Sequence, residues 1–367
     1  MYTPNNSSIK NKIALSKLKR KILSHVKLVR AVILIFILVI SFILGMFIYR
    51  GVSKSIIGTS VGLARNFLLP SKNRILTDNG RINVLIMGKG GENHDAPDLT
   101  DTMILASIST INKKMILISI PRDVWVPDLK DKINSGYIYG KAKGDSKTGI
   151  ILAKSTAEQI LGTKINYGVV IDFNVFKKII DTVGGINVDV KNGFTDRQYP
   201  IAGKEDDNCN GDKTFACRYE VVTFKEGFQV MDGETALKFV RSRHAVGSEG
   251  NDIAREARQQ LVIAAIVKKA LTPEIFTNLS IDKKLINIIT VNIETDLKVS
   301  EEATLARYLV DARSNIKSYT IPDNLLYNPP NQYKYANSLY THAFVFIPAN
   351  KDGKWIDVQN WVTSILP

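Results

Sequence analysis

Four arginines, Arg241, Arg243, Arg255 and Arg258, fall within eighteen positions of one stretch, RSRHAVGSEGNDIAREARQQ, which runs from residue 241 to 260. Its second half predicts a helix that starts at Asn251 or Asp252. Residues three and four apart are neighbours on a helix, so Asp252, Arg255, Arg258 and Gln259 share a face. Further along, that face turns apolar at Val262 and Ile266, which directs it inward and leaves the arginines at the edge of a core. The same arginines lie at the positive end of the helix macrodipole, where cations are disfavoured. Cations gathered there call for an anion, and a phosphate-type ligand at a helix N-terminus is the natural one. A surface helix with solvated arginines is the plain alternative, and the rest of the chain argues against it.

A predicted strand over 114–120 is closed by Pro121 and followed at its carboxyl end by Arg122 and Asp123. Ligands of open α/β sheets sit beyond strand carboxyl ends, which favours a site there over a structural ion pair. An earlier strand runs into the loop GKGGENHDAPDLTD, which carries Asp95, Asp98 and Asp101. It has neither the Walker A spacing nor a full G-x-G-x-x-G, so it is not a standard nucleotide loop. Aspartates in loops often only form turns, yet these also supply the hard oxygens that Mg²⁺ prefers, one or two per ion. Lys132 adds a cation beside a turn. Arginines with aspartates make the composition of a pyrophosphate–Mg²⁺ site, where the metal bridges phosphate oxygens and guanidinium groups hold the remaining charge. No G-x-S-x-G elbow offers a serine nucleophile.

The net charge of +14 in 367 residues invites a nucleic-acid reading, but nine Lys/Arg and no Asp or Glu lie at or before Arg50. Most of the excess is therefore a topology signal. Without basic residues interleaved with aromatics, nucleic acid is not expected as a partner. Residues 31–49, AVILIFILVISFILGMFIY, form an uncharged run of 19, long enough to span a bilayer. The basic segment 1–30 before it predicts a cytoplasmic N-terminus. The run exceeds a signal-peptide core and no A-x-A-like site follows it. The expected organisation is a basic segment 1–30, a transmembrane helix 31–49, a stalk 50–79 and one extracytoplasmic domain 80–367. In that oxidising compartment Cys209 and Cys217, eight apart, read as a disulfide; they lack zinc-ligand spacing.

These residues are positioned by short apolar runs alternating with helical patterns. Strands are expected at 82–87, 102–109, 114–120, 167–171, 186–190, 316–321 and 343–347, with a hairpin turn at Asn112-Lys113. Helices are expected at 148–161, 173–183, 234–240, 252–271, 300–312 and 355–366. The pattern predicts an α/β fold, a mixed central sheet covered by helices on both faces, preceded by one transmembrane helix.

Taken in order, several motifs resemble those of the LytR–CpsA–Psr family of cell-envelope proteins. They are Leu99-Thr100-Asp101-Thr102-Met103, Ser119-Ile120-Pro121-Arg122-Asp123, Lys132-Ile133-Asn134, Val183-Gly184-Gly185, the run from Met231 to Leu237, Arg241-Ser242-Arg243, and the run from Asn251 to Gln260. The resemblance implies a membrane-anchored phosphotransferase. Its donor would be a glycopolymer on a polyprenyl-pyrophosphate carrier and its acceptor peptidoglycan, joined through a phosphodiester. Arg122, Arg241, Arg243, Arg255 and Arg258 would hold the pyrophosphate, with Lys132 and Gln259 beside them, and Asp101 would bind Mg²⁺. Asp252 or Asp123 would act as base for the acceptor hydroxyl or orient arginines, orientation being the expectation for Asp123. The family's Gly-x-Asp after the first strand is replaced by Gly88-Lys89-Gly90-Gly91, which makes Asp95 the substitute second metal ligand. A polyprenyl-pyrophosphate hydrolase and a non-catalytic lipid-phosphate-binding regulator are the competing functions.

Overall fold

The chain is described from a computed structural model over residues 75–91, 96–276, 278–330, 334–335, 338–339, 344–350 and 353–366. The expected transmembrane run, the basic segment before it, residues 50–74 and Asp95 lie outside the described residues. Among the described residues no helix is long and apolar enough to cross a membrane.

Strands follow in the order β1 (Arg81–Lys89), β2 (Thr100–Ser109), β3 (Met115–Ser119), the short pair β4 (Trp125–Val126) and β5 (Asp131–Lys132), then β6 (Tyr167–Asp172), β7 (Ile186–Val190), β8 (Phe194–Pro200), β9 (Tyr219–Phe224), β10 (Gly227–Met231), β11 (Glu294–Thr295) and β12 (Ile316–Thr320). Six of them form the central sheet in the order β11-β6-β1-β2-β3-β12. The β1–β2, β2–β3 and β11–β6 pairs are antiparallel, while β1–β6 and β3–β12 are parallel, so the sheet is mixed. The β2–β3 hairpin turns through Lys113 at φ 54°.

Helices interleave as α1 (Gly136–Lys143), α2 (Ser146–Leu161), α3 (Phe173–Thr182), α4 (Gly233–Arg241), α5 (Asp252–Ala270), α6 (Leu279–Asn292), α7 (Val299–Ala312) and α8 (Ile356–Ile365). Alternation along a strand sends successive side chains to opposite faces. Leu85 and Met87 thus pack with Ile150, Ala153 and Ala157 of α2 and Val358 of α8. Ile82 and Val84 pack with Leu305, Tyr308 and Ala312 of α7 on the other side. Burial on both faces is why the strands read as continuous apolar runs. A second core gathers the β7–β10 and β8–β9 ladders with α3, α4 and one side of α5. At its centre the rings of Phe194, Phe224 and Phe239 meet at 5.0–5.9 Å.

The sequence suggests a turn at Gly136-Tyr137-Ile138-Tyr139-Gly140, but this stretch is α1. Its glycines serve contact rather than chain reversal. A Cβ on Gly140 would lie 2.6 Å from the carbonyl oxygen of Thr148 and 2.8 Å from Cα of Gly149. Inside a helix Gly→Ala ordinarily stabilises by about 1 kcal/mol. Here the clash is with backbone, so Gly140→Ala should destabilise by roughly 1–3 kcal/mol. A rise in melting temperature for this variant would contradict the close α1–α2 packing.

Candidate functional site

The carboxyl ends of β1, β3, β6 and β12 and the start of β2 share one edge of the sheet. Asp101 opens β2 and Arg122 follows β3, so the antiparallel pairing brings them together. Arg122 Nη1 donates to Asp101 Oδ1 at 2.7 Å, and Arg122 Nε lies 3.4 Å from Asp123 Oδ2. Lys132, at the end of β5, donates through Nζ to Asp123 Oδ1 at 2.5 Å. Both oxygens of Asp123 therefore face cations.

Helix α5 begins at Asp252, capped by Asn251, whose side chain accepts from the Ala254 amide at 2.7 Å. The buried Gln260 amide donates to Ser119 Oγ and to the Tyr319 carbonyl, each at 2.7 Å. That tie seats the helix on the carboxyl ends of β3 and β12 and sets Arg255 and Gln259, one turn apart, over the same edge as Arg122. Arg241 closes α4 with its guanidinium 4.6 Å from the Phe173 ring centroid. The next turn is fixed by Asp196, which is fully buried. Its Oδ2 accepts the main-chain N–H groups of Arg243 at 3.0 Å and His244 at 3.2 Å.

Arg122, Arg241, Arg243 and Arg255 converge with Asp101 and Gln259 on a cleft of about 260 Å³, whose apolar side is Phe173, Pro200 and Val240. Among the described residues no carboxylate pairs with Arg241 or Arg243. Arg255 pairs with Asp252 at 2.7 Å. Burial, together with the charges of Arg122 and Arg243 and against the pull of Asp252, holds the Arg255 guanidinium below its ordinary pKa. Arg122 is shifted the other way: burial opposes its charge, but Asp101 and then Asp123 and Asp252 outweigh it. Such a cleft gathers guanidinium donors of the kind that hold phosphate-type anions. For Mg²⁺, Asp101 offers a hard oxygen in the same cleft, its Oδ1 bound to Arg122 and its Oδ2 making no hydrogen bond among the described residues. One or two carboxylates with phosphate oxygens suffice for that ion.

Two expected members stand apart. Lys132 is bound to Asp123, behind the cleft wall. Arg258 does not face the cleft: it points into the second core, 3% exposed, with Phe194 4.6 Å from its guanidinium. It donates to the carbonyls of Phe239 (3.0 Å), Ser242 (2.6 Å) and Glu249 (2.9 Å) and to Glu249 Oε2 (2.8 Å). Its role is to close the loop that carries Arg243 and His244. Val262 belongs to that second-core stripe, so the arginines of α5 divide between two faces. Asp98 is bound by Lys89 and Lys141, each at 2.8 Å, in a network beside β1. Cys209 and Cys217 form a disulfide with Cα atoms 5.5 Å apart. Together with Asp207 they are also the one cluster of metal-ligating types among the described residues, but the disulfide removes their thiolates as ligands.

Sequence reasoning missed Asp196, Gln260 and Glu256. Asp196 lies in a polar strand with no motif, and Gln260 was overshadowed by Gln259. Glu256 is buried behind Arg122 and Arg255, against a cavity of about 50 Å³, with Oε2 lacking a hydrogen bond. Burial, opposed by Arg255 and reinforced by Asp252, Asp123 and Asp323, pushes its carboxyl up to about 8.

A family model described as the LytR_cpsA_psr family matches residues 61–345. TagU of Oceanobacillus iheyensis, a polyisoprenyl-teichoic acid–peptidoglycan teichoic acid transferase, is 30% identical over 252 residues, 68% of this chain and 69% of that protein. The TagU transferase of Bacillus cereus is 26% identical over 245 residues, covering 66% and 68%. The crystal structure of B. subtilis TagV aligns with a TM-score of 0.53 at 23% identity, over 79% of this chain and 98% of that one, which shows a shared fold.

Two variants separate framework from site. Arg258→Met takes the donor from three carbonyls and from one oxygen of the partly buried Glu249 carboxylate, which keeps Asn192, and should cost about 3 kcal/mol in chemical denaturation. Arg255→Ala should cost far less stability while removing ligand binding; equal destabilisation would contradict the division of α5. Glu256 gives a pH signature. Its folded pKa lies above the ordinary 4.5, so the folded state keeps a proton that the unfolded state releases, and stability falls as pH rises from about 4.5 to about 8. Glu256→Gln should flatten that slope and be the more stable protein at pH 8 by a few kcal/mol, at roughly 1.4 kcal/mol per pKa unit. Parallel melting curves across pH 5–8 would contradict it.

Proposed function

The chain belongs to the LytR–CpsA–Psr family, and on that premise we propose that it is a phosphotransferase of cell-wall assembly. It moves a glycopolymer from a polyprenyl-pyrophosphate carrier to peptidoglycan, forming a phosphodiester. The observation that carries this reading is the set of four guanidinium groups on one cleft, two of them without a carboxylate partner among the described residues, beside an apolar wall of Phe173, Pro200 and Val240. The arginines fit a diphosphate and the apolar side fits the start of an isoprenoid chain. The named activity of the TagU relatives supports the same substrates.

In phosphoryl transfer a protein contributes chiefly positioning and charge stabilisation. Arg122 and Arg255 are paired with Asp101 and Asp252, and Arg241 and Arg243 are brought in from the end of α4 and the turn after it, so the diphosphate is gripped by two groups of arginines. Negative charge that builds on the leaving phosphate is met by donors already in place. We further propose Mg²⁺ as cofactor, with Asp101 as ligand and Asp95 as the second. When bound, it would neutralise phosphate charge. Membrane attachment is proposed on the charge-free run 31–49 and the basic segment before it, with residues after the run outside the cytoplasm.

With a polyprenyl-pyrophosphate-linked glycan as donor and peptidoglycan as acceptor, Arg243→Ala and Asp101→Ala should each lower transfer by roughly 10²–10³-fold. A chelator should act as Asp101→Ala does, and added Mg²⁺ should restore the wild type only. Normal transfer by both variants would discard the reading. Equal release of carrier phosphate with and without peptidoglycan would identify a hydrolase instead.

A further inference from the structure

The segment after residue 343 reaches the site without belonging to any motif of the sequence. The Phe346 amide donates to the Asp123 carbonyl at 2.9 Å, and the Trp125 amide donates to the Phe346 carbonyl at 2.9 Å. These two bonds lay Phe344 to Phe346 alongside the loop that carries Arg122. Val345 is fully buried with Trp125 and Ile347, which anchors the segment. Phe344 and Phe346 meet edge to face at 5.1 Å, and Phe344 is 53% exposed. Facing the rings are Asn251, Asp252 and Ile253 at the head of α5, and together they enclose a second cleft of about 380 Å³. That volume lies within the range of ligand clefts, ~300–1,000 Å³.

This second cleft joins the main one only through Arg243 and His244 and shares none of its apolar wall. In-line displacement at phosphorus places the attacking oxygen opposite the leaving oxygen. The leaving phosphate carries the isoprenoid and therefore lies toward Phe173, Pro200 and Val240. The attacking hydroxyl must come from the other side, past Arg243, which is where the second cleft opens. Its chemistry suits a sugar rather than a lipid: an exposed aromatic ring for the C–H face, and amide, carboxylate and guanidinium groups for hydroxyls. A lipid tail there would bury the Asp252 carboxylate against hydrocarbon, at high cost.

Resting on the transferase reading, we propose that the cleft between Phe344 and the head of α5 is the acceptor subsite. It takes the amino-sugar backbone of a peptidoglycan strand, and Asp252 receives the proton of the attacking hydroxyl. The Asp252 side chain is 42% exposed and pairs with Arg255 through Oδ1 at 2.7 Å, so its carboxylate is open to an incoming hydroxyl. The hydroxyl oxygen bonds to the phosphorus that bears the glycopolymer sugar. The bond from that phosphorus to the bridging oxygen breaks, and polyprenyl monophosphate departs with the electron pair. The proton passes from hydroxyl to Asp252 and then to water.

The test uses the full chain, with soluble peptidoglycan strands as acceptor and a polyprenyl-pyrophosphate-linked glycan as donor. Phe344→Ala should raise the acceptor KM by roughly tenfold or more while the donor KM holds, and Phe344→Tyr should restore it. Asp252→Asn should lower kcat by roughly 10²-fold or more with little change in acceptor KM. Calorimetry with the strands alone should show wild-type binding that Phe344→Ala loses. Transfer with an unmoved acceptor KM in Phe344→Ala would overturn the subsite and leave the transferase reading intact. Strand binding lost in Phe344→Ala, in a protein that only hydrolyses its donor, would support the subsite and overturn the transferase.

Discussion

Repulsion among like charges is the constraint that shapes the working edge of this protein. Two unit charges ~4 Å apart interact by about 4 kcal/mol at the dielectric typical of a protein surface, and four guanidinium groups line a single cleft here. Neutralising each with its own carboxylate would stabilise the fold and spoil the site. The chain instead spends much of its nearby acid on the frame. Asp196 grips main-chain N–H groups of the loop bearing Arg243, Asp123 holds Arg122 and Lys132 from behind, and Glu249 engages Arg258 rather than a cleft arginine. The cleft is left with surplus positive charge that only an incoming anion relieves.

The two cores divide this work. The central sheet supplies Asp101 and Arg122 from strand ends that are rigid because both faces are buried. The second core supplies Arg241 and Arg243 from the end of α4 and the turn after it. Helix α5 belongs to both. Arg258 and Val262 pack into the second core, while Gln260 is bonded to the ends of β3 and β12. A single helix thus sets the distance between the two groups of arginines, so changes along it should affect ligand grip even where no ligand touches.

Much of this could be read from the sequence, and the failures have physical causes. Strands buried on both faces announce themselves as apolar runs, so β1, β2, β3 and β6 were legible. The strands β8, β9 and β10 were not, because each has one solvent-facing side, and β8 and β9 also carry charged residues. Arg122, Arg241, Arg243 and Arg255, which the structure brings to one cleft, were legible because their guanidinium groups cluster in motifs. Arg258 was misassigned because three-residue spacing places it near Arg255 on the helix surface, yet on the far side of the boundary between the two cores. Gly136 and Gly140 looked like turn formers because glycine used for helix contact leaves no separate mark in sequence. Residues 344–346 read only as part of a strand over 343–347, whereas the strand is Ile347–Pro348, and nothing in the sequence tied them to the site because their place there comes from main-chain pairing with the Arg122 loop.

The central claim is that guanidinium groups from distant parts of the chain meet on one diphosphate. An experimental structure of the full chain with a short isoprenyl diphosphate tests it most directly. The account predicts both phosphates within hydrogen-bonding distance of Arg122, Arg241, Arg243 and Arg255, with the isoprenoid running past Phe173 and Val240. Phosphates seated elsewhere, or a ligand whose charge is met by Lys132 and Arg258 instead, would contradict it.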